Sequence, residues 1–398
     1  MKFARRRHIA ALAFVVMLGL GVVTTHSQAQ TFTVLYNFTG TPDGYAPYAG
    51  LVQDQAGTLY GTTYVGGSGN CFDGCGTVFK VSKTGKETVL YNFAGGSGDG
   101  CNPSAELIRD TADNLYGTTQ TCGSSNLGTV FKVSKIGKET VLHSFAGGSA
   151  DGCTPAGGLL RDKAGNLYGA TFQCGASGVG TVFRVSKSGN ETVLHSFAGA
   201  PSDGSVPFFT SLLMDTKGNL YGVTYEGGAS DNGVVYKLSK TGTLTLLYSF
   251  AGETSDGCFP NGNLATDNKG NLYGVTRECG PSGEGIVWKL GKKGTETVLH
   301  NFAGGSSDGA YPWAGVVLDA KGNFYGDTNE GGASGDGTVY ELNGKGTLTL
   351  LHSFAFSDGE TPQGGVIRDA TGNLYGTGTY GGSGCGVEGC GTVWKLAP

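Results

Sequence analysis

The stretch "AELIRDTADNLYGTTQTCGSSNLGTVFKVSKIGKETVLHSF", residues 105 to 145, decides the fold. Four short apolar segments, "AELIRD", "NLYGTTQ", "GTVFKVS" and "ETVLHSF", are parted by clusters of Gly, Asn, Asp and Ser, and none sustains a helical period. They are read as strands A, B, C and D. The A to B turns ("DTADN", "DKAGN", "DNKGN") and the C to D turns ("SKTGKE", "SKSGNE") supply the residues that tight hairpins require.

The same unit returns along the chain. "LYG" begins at Leu59, Leu115, Leu167, Leu220, Leu272 and Leu374, with "FYG" at Phe324. "GTVFK" and its variants begin at Gly76, Gly128, Gly180, Gly233, Gly285, Gly337 and Gly391. From Leu115 to Leu167 the period is 52 residues, close to the blade length of kelch-type propellers. Seven four-stranded antiparallel sheets predict an all-β, seven-bladed propeller. The stretch "TFTVLYNF", from Thr31, is a D strand without its blade, and the last unit stops at "GTVWKLAP" without a D strand. Pairing Thr31 to Phe38 with Gly391 to Leu396 would complete the seventh blade and remove the open edges that invite aggregation.

Residues 1–29 read as a signal peptide: Lys2, Arg5, Arg6 and Arg7 precede an apolar run from Ile9 to Val23, then "THSQAQ" with small residues at a cleavage site. Residues 30–398 are expected to form one propeller domain, secreted or periplasmic, with no membrane span in the mature protein. The ten cysteines then lie in an oxidising compartment and are expected to pair. Cys101 and Cys122 are 21 apart, as are Cys153 and Cys174, and Cys258 and Cys279; units that lack the first cysteine lack the second. In a propeller the loop entering strand A and the B to C loop reach the same face, called the top here, so these three pairs are expected as disulfides. Cys71, Cys75, Cys385 and Cys390 lie in longer B to C loops of the first and seventh units. The simplest reading pairs Cys71 with Cys75 and Cys385 with Cys390; pairing between the two neighbouring blades and a four-thiolate zinc site are the alternatives.

Sevenfold repetition argues against most catalytic readings. His143, His195, His300 and His352 share one repeat position with Tyr36, Tyr91 and Tyr248, spread round the outer strands, so they cannot converge on a substrate. No nucleophile elbow or metalloprotease signature is present. Basic residues fall near the lower turns, with Arg277 alone beside a top loop, so the top face is expected to be anionic and to repel nucleic acid. Asp43, Asp99, Asp151, Asp203, Asp256, Asp308 and Asp358 open the entering loops. They suit either a ring of Ca²⁺ ligands or simple Asp-Gly turns. Tyr45, Tyr48, Phe208, Phe209, Tyr311 and Trp313 lie in the same loops of the units without the paired cysteines. Those rings would stack on sugars, or fill the space a disulfide takes elsewhere.

The pattern "DG..P...L..D..GNLYGTT..GG...GTVFK", running over residues 31 to 396, is similar to that of the GloVer-type tandem-repeat family of secreted bacterial proteins. The resemblance implies a propeller and export, and brings no settled activity with it. Many members carry a separate C-terminal surface anchor, whereas this sequence stops at Pro398 after the closing strand, so release or periplasmic residence is expected. The resulting expectation is a non-enzymatic binding module whose partner is a polysaccharide or an extracellular protein. A scaffold without a ligand is one alternative. The other is a polysaccharide-cleaving enzyme, its carboxylates in the central mouth, where Arg277, Asp327 and Glu106 depart from the repeat.

Overall fold

The computed structural model describes residues 30–252 and 256–398; the expected signal peptide, 1–29, lies outside them. Every regular element among the described residues is a β-strand. Seven four-stranded antiparallel sheets form the blades of a propeller. In the second blade the strands are Ile108–Arg109, Leu115–Thr119, Thr129–Val133 and Glu139–Ser144, in spatial order A, B, C, D. The ring closes as the termini foretell: Thr31–Asn37 pairs antiparallel with Thr392–Ala397, from Thr31 opposite Ala397 to Asn37 opposite Thr392.

Two sequence signatures explain each other in the packing. Strand C carries a buried aromatic at its centre, Phe131 in the second blade, and this ring lies over the glycine of "LYG" in the paired strand. A Cβ on Gly117 would sit 2.7 Å from the ring of Phe131, and every other blade shows the same close approach, so the triplet needs glycine. The phenylalanine that ends each D strand then packs edge-on or tilted against the strand C aromatic of the next blade. Examples are Phe38 with Phe79 at 4.9 Å, Phe93 with Phe131 at 5.1 Å and Phe354 with Trp394 at 5.7 Å. Aromatic pairs of this kind contribute about 0.5–1.5 kcal/mol each beyond burial. The core is therefore a belt of inter-blade seams.

On the lower face each A to B turn is tied by one aspartate. Asp110 accepts hydrogen bonds from the Asn114 backbone N–H, the Asn114 side chain and the Tyr116 hydroxyl. Burial opposes ionisation there, yet these bonds outweigh it and hold the carboxyl down at about 2. On the upper face short two-stranded ladders cap several blades, such as Gly100–Cys101 with Thr121–Cys122. In the fifth blade the cap merges with the blade, giving the long strands Gly257–Thr266 and Leu272–Cys279.

Candidate functional site

The five disulfides join Cys101 to Cys122, Cys153 to Cys174, Cys258 to Cys279, Cys71 to Cys75 and Cys385 to Cys390, and no free cysteine remains among the described residues. Each 21-residue bridge staples an upper cap to itself. One set of three potential metal-ligating atoms gathers among the described residues, the sulfurs of Cys71, Cys75 and Cys101, and all three are spent in disulfides.

The seven entering-loop aspartates are spread one to a blade. Each carboxylate meets the Tyr or His at the end of the preceding D strand: Tyr91 donates to Asp99 at 2.9 Å and Tyr248 to Asp256 at 2.7 Å. His195 and Asp203 share a bond of 3.0 Å, His300 and Asp308 one of 3.2 Å. Asp43 meets Tyr36, Asp151 meets His143 and Asp358 meets His352 in the same way. Backbone N–H groups complete each set, for example that of Ala94 at Asp99 and Ala198 at Asp203. The Tyr/His alternation along the sequence is thus one role, donation to an aspartate that latches two blades.

The centre of the wheel differs from blade to blade. At the entry to strand A each blade has a buried or, for Leu264, half-buried Leu or Val: Leu51, Leu107, Leu159, Leu212, Leu264, Val316 and Val366. The residue immediately before it is glycine in four copies (Gly50, Gly158, Gly315, Gly365) and otherwise Glu106, Ser211 or Asn263. Glycine suits this place because neighbouring blades almost touch at the axis: a Cβ on Gly50 would lie 2.5 Å from the carbonyl of Gly364. The three exceptions form a chain. The Asn263 side-chain N–H donates to Glu106 Oε2 at 3.0 Å, and the Ser211 backbone N–H donates to Asn263 Oδ1 at 3.2 Å. Glu106 is only half-buried by solvent exposure because it borders the axial channel. Loss of bulk solvent raises its carboxyl to about 7, against the lowering effect of Asn263.

Two residues nearer the top, a second ring comprises Tyr48, Ser104, Ala156, Phe209, Asn261, Trp313 and Gln363. A third variable position, at the end of strand B, meets it side chain to side chain. Tyr48 packs edge-on against Tyr64 at 5.2 Å, Gln120 donates to Ser104 at 2.7 Å, and Gln363 donates to Asn329 at 3.3 Å. Arg277 lies over the Trp313 ring at 4.7 Å, donates to the Tyr225 hydroxyl at 3.2 Å and pairs with Glu278 at 3.4 Å. Phe208 and Phe209, 4.3 Å apart, extend the aromatic rim toward Trp313. Buried polar atoms without partners collect here as well: Trp313 Nε1, Arg277 Nε, and both side-chain polar atoms of Asn261.

The rings enclose a cavity of about 40 Å³, bordered by Tyr48, Glu106, Phe209, Asn263, Trp313 and Gln363. That is room for roughly two or three waters. Of the aromatics singled out in the sequence, Tyr48, Phe209 and Trp313 line this cavity and Phe208 backs it. Tyr45 lies beside Tyr380, away from it, and Tyr311 has its hydroxyl against Glu284. Asp327 is not among the residues that border this cavity. It has no exposure, and burial raises its carboxyl to about 7 against the lowering effect of the Gly365 backbone N–H. Asn263, Ser211, Tyr64 and Tyr225 went unremarked in the sequence; aligning the copies on the Leu or Val before strand A would have exposed them.

The chain is similar to solved enzymes of the same architecture. The virginiamycin B lyase of Staphylococcus aureus aligns over 93% of this chain and 99% of its own, at 12% identity and a TM-score of 0.58. The periplasmic gluconolactonase of Pseudomonas aeruginosa aligns over 85% and 99%, at 15% identity and a TM-score of 0.51. At such identities the likeness establishes the fold. It also overturns the expectation that the chain is not an enzyme, because that rested on sevenfold repetition, and these propellers bear enzyme names. The repetition argument fails physically too, since the mouth is where the copies stop repeating. No curated protein sequence matches the chain. The repeat pattern matches the Gloeobacter/Verrucomicrobia repeat over residues 17–163, 149–317 and 269–398, and the chain belongs to that family.

Proposed function

We propose that this is an exported propeller acting on a cyclic sugar derivative, a lactone or a glycan, at the axial mouth, with Glu106 as its acid–base group. The observation that carries the reading is Glu106 itself: one carboxyl, half ionised near neutrality, set among glycines beneath an aromatic rim. An acid–base group is most effective when its pKa lies near the working pH, since it can then both hold and release a proton. Tyr48, Phe209 and Trp313 offer flat apolar faces suited to a sugar ring, and Asn263 orients the carboxyl. Ring opening and elimination both require a proton moved at a ring carbon or oxygen, which is the step Glu106 would serve. The names of the similar propellers, a lactonase and a lyase, agree with this class of chemistry. Five disulfides fit an exported protein.

The test screens the mature protein for binding and turnover on a panel of sugar lactones and acidic and neutral polysaccharides. Glu106→Gln is expected to abolish turnover while leaving binding within a few-fold. Trp313→Ala is expected to weaken binding tenfold or more with the fold intact by circular dichroism. Turnover unchanged in Glu106→Gln, or no panel member bound or turned over, would defeat the assignment.

A further inference from the structure

Exposed apolar side chains are ordinary when scattered singly. Two here are not scattered. The long B to C loops of the first and seventh blades carry one pattern, apolar, acidic, Gly, Cys: Phe72-Asp73-Gly74-Cys75 and Val387-Glu388-Gly389-Cys390. Phe72 and Val387 are each 93% exposed. Both loops are built alike. Each is closed by its own disulfide, the Gly66 N–H donates to the Asp73 carbonyl, and the Gly381 N–H donates to the Glu388 carbonyl. Their bases press on the body where no side chain fits: Gly69 faces the carbonyl of Phe93 and Gly384 that of Phe38. A tip fixed in this way has already lost the freedom that binding would otherwise remove.

The opposite face carries two grooves, also one blade apart. Between the fourth and fifth blades a groove of about 750 Å³ is bordered by Leu213, Met214 and Leu247, with Lys217 and Lys292 exposed at its edge. Between the fifth and sixth, one of about 620 Å³ is bordered by Leu299, Leu318 and Phe324, with Lys269 and Lys321 exposed. Asp215, Asp267 and Asp319 also border them, but their oxygens are engaged within their own turns by Asn219, Asn271 and Asn323. The lysines therefore supply the free charge.

We propose that the chain binds a second copy of itself head to tail, the Phe72 and Val387 tips of one copy seating in the two lower grooves of the next. Apolar side chain meets apolar floor, and Asp73 and Glu388 meet the lysine edges. Stacking two wheels in the same orientation preserves the sense of rotation, so tips at the seventh–first and first–second seams align with grooves at the fourth–fifth and fifth–sixth after a turn of four blades. Because tip and groove are different surfaces, the contact repeats instead of closing as a twofold dimer. It depends on neither Glu106 nor the mouth.

Sedimentation velocity of the mature protein, from micromolar to millimolar concentration, is expected to show mass rising in whole multiples of the chain and the rise shrinking at high salt. Phe72→Ser with Val387→Ser, and separately Lys217→Glu with Lys269→Glu, Lys292→Glu and Lys321→Glu, should each remain monomeric while folded. Mixing the two variants should give a one-to-one complex that grows no further, because only one tip surface and one groove surface remain intact. A monomer at every concentration, association unaffected by the tip substitutions, or no pairing in the mixture would each overturn the proposal.

Discussion

Glu106 is the single carboxylate among seven equivalent positions, four of them glycine, so none of its neighbours can substitute for it. Among the described residues Glu106 has one direct hydrogen-bond partner, the Asn263 amide, which favours the charged form against the desolvation that disfavours it. Asn263→Ala should therefore move the Glu106 titration upward from about 7. Carboxyl ¹³C shifts of labelled glutamate check this, and in a turnover assay the basic limb should move with them. Unchanged titration would mean that the amide does not govern the carboxyl. Asp327 illustrates the contrasting case. It is fully buried, at the repeat position where Thr118 and Thr377 donate to a carbonyl of the next blade, and it does not border the cavity.

Among the elements, the upper caps invite a direct comparison, since the fourth blade forms the same ladder, Gly204–Ser205 with Glu226–Gly227, without cysteines. The bridges thus add stability to a cap that needs none to form. Cys101→Ser with Cys122→Ser should lower unfolding stability by about 3 kcal/mol in denaturant titration, with the ring still closed. A loss near zero would mean that the closed loop is already restrained in the unfolded chain. The cap bridges were legible because cysteines came and went in pairs, which is contact information inside one chain. The latch between D strand and entering loop was not: Tyr36 and His143 share a repeat position in the sequence, but their common aspartate partner shows only in the packing. The blades were legible because seven copies of each strand average away local ambiguity. The mouth was half legible for the opposite reason. Its residues depart from the repeat, so Glu106 and Arg277 stood out by difference, while the glycines and amides that give them meaning did not.

For the molecule as a whole, two sets of carboxyls pull stability in opposite directions with pH. The lower-turn aspartates, Asp54, Asp110, Asp162, Asp215, Asp267, Asp319 and Asp369, titrate below their ordinary value, as hydrogen bonds prevail over burial. Their contribution is present above pH 3.8 and lost as pH falls toward about 2. Glu87, Glu139, Glu191 and Glu296 start D strands with one oxygen buried and unpartnered, and desolvation, then a nearby aspartate, raises each to about 7. The folded state holds those protons more tightly, so this stabilisation is complete below pH 4.5 and lost as pH climbs through about 7. Melting temperature should peak at mildly acidic pH and decline by pH 8, and Gln at all four glutamates should flatten the decline. A melting point that rises from pH 5 to pH 8 would contradict this account.

The ladder that shuts the wheel also governs its response to tension. Thr31 and Ala397 are opposite partners at one end of that ladder, so a load drawn through the two tails acts across the first pair and parts the rungs one after another. The staples and aromatic seams of the other six blades take no share until this zipper has run, leaving a disulfide-stapled wheel easily peeled by a pull on its ends.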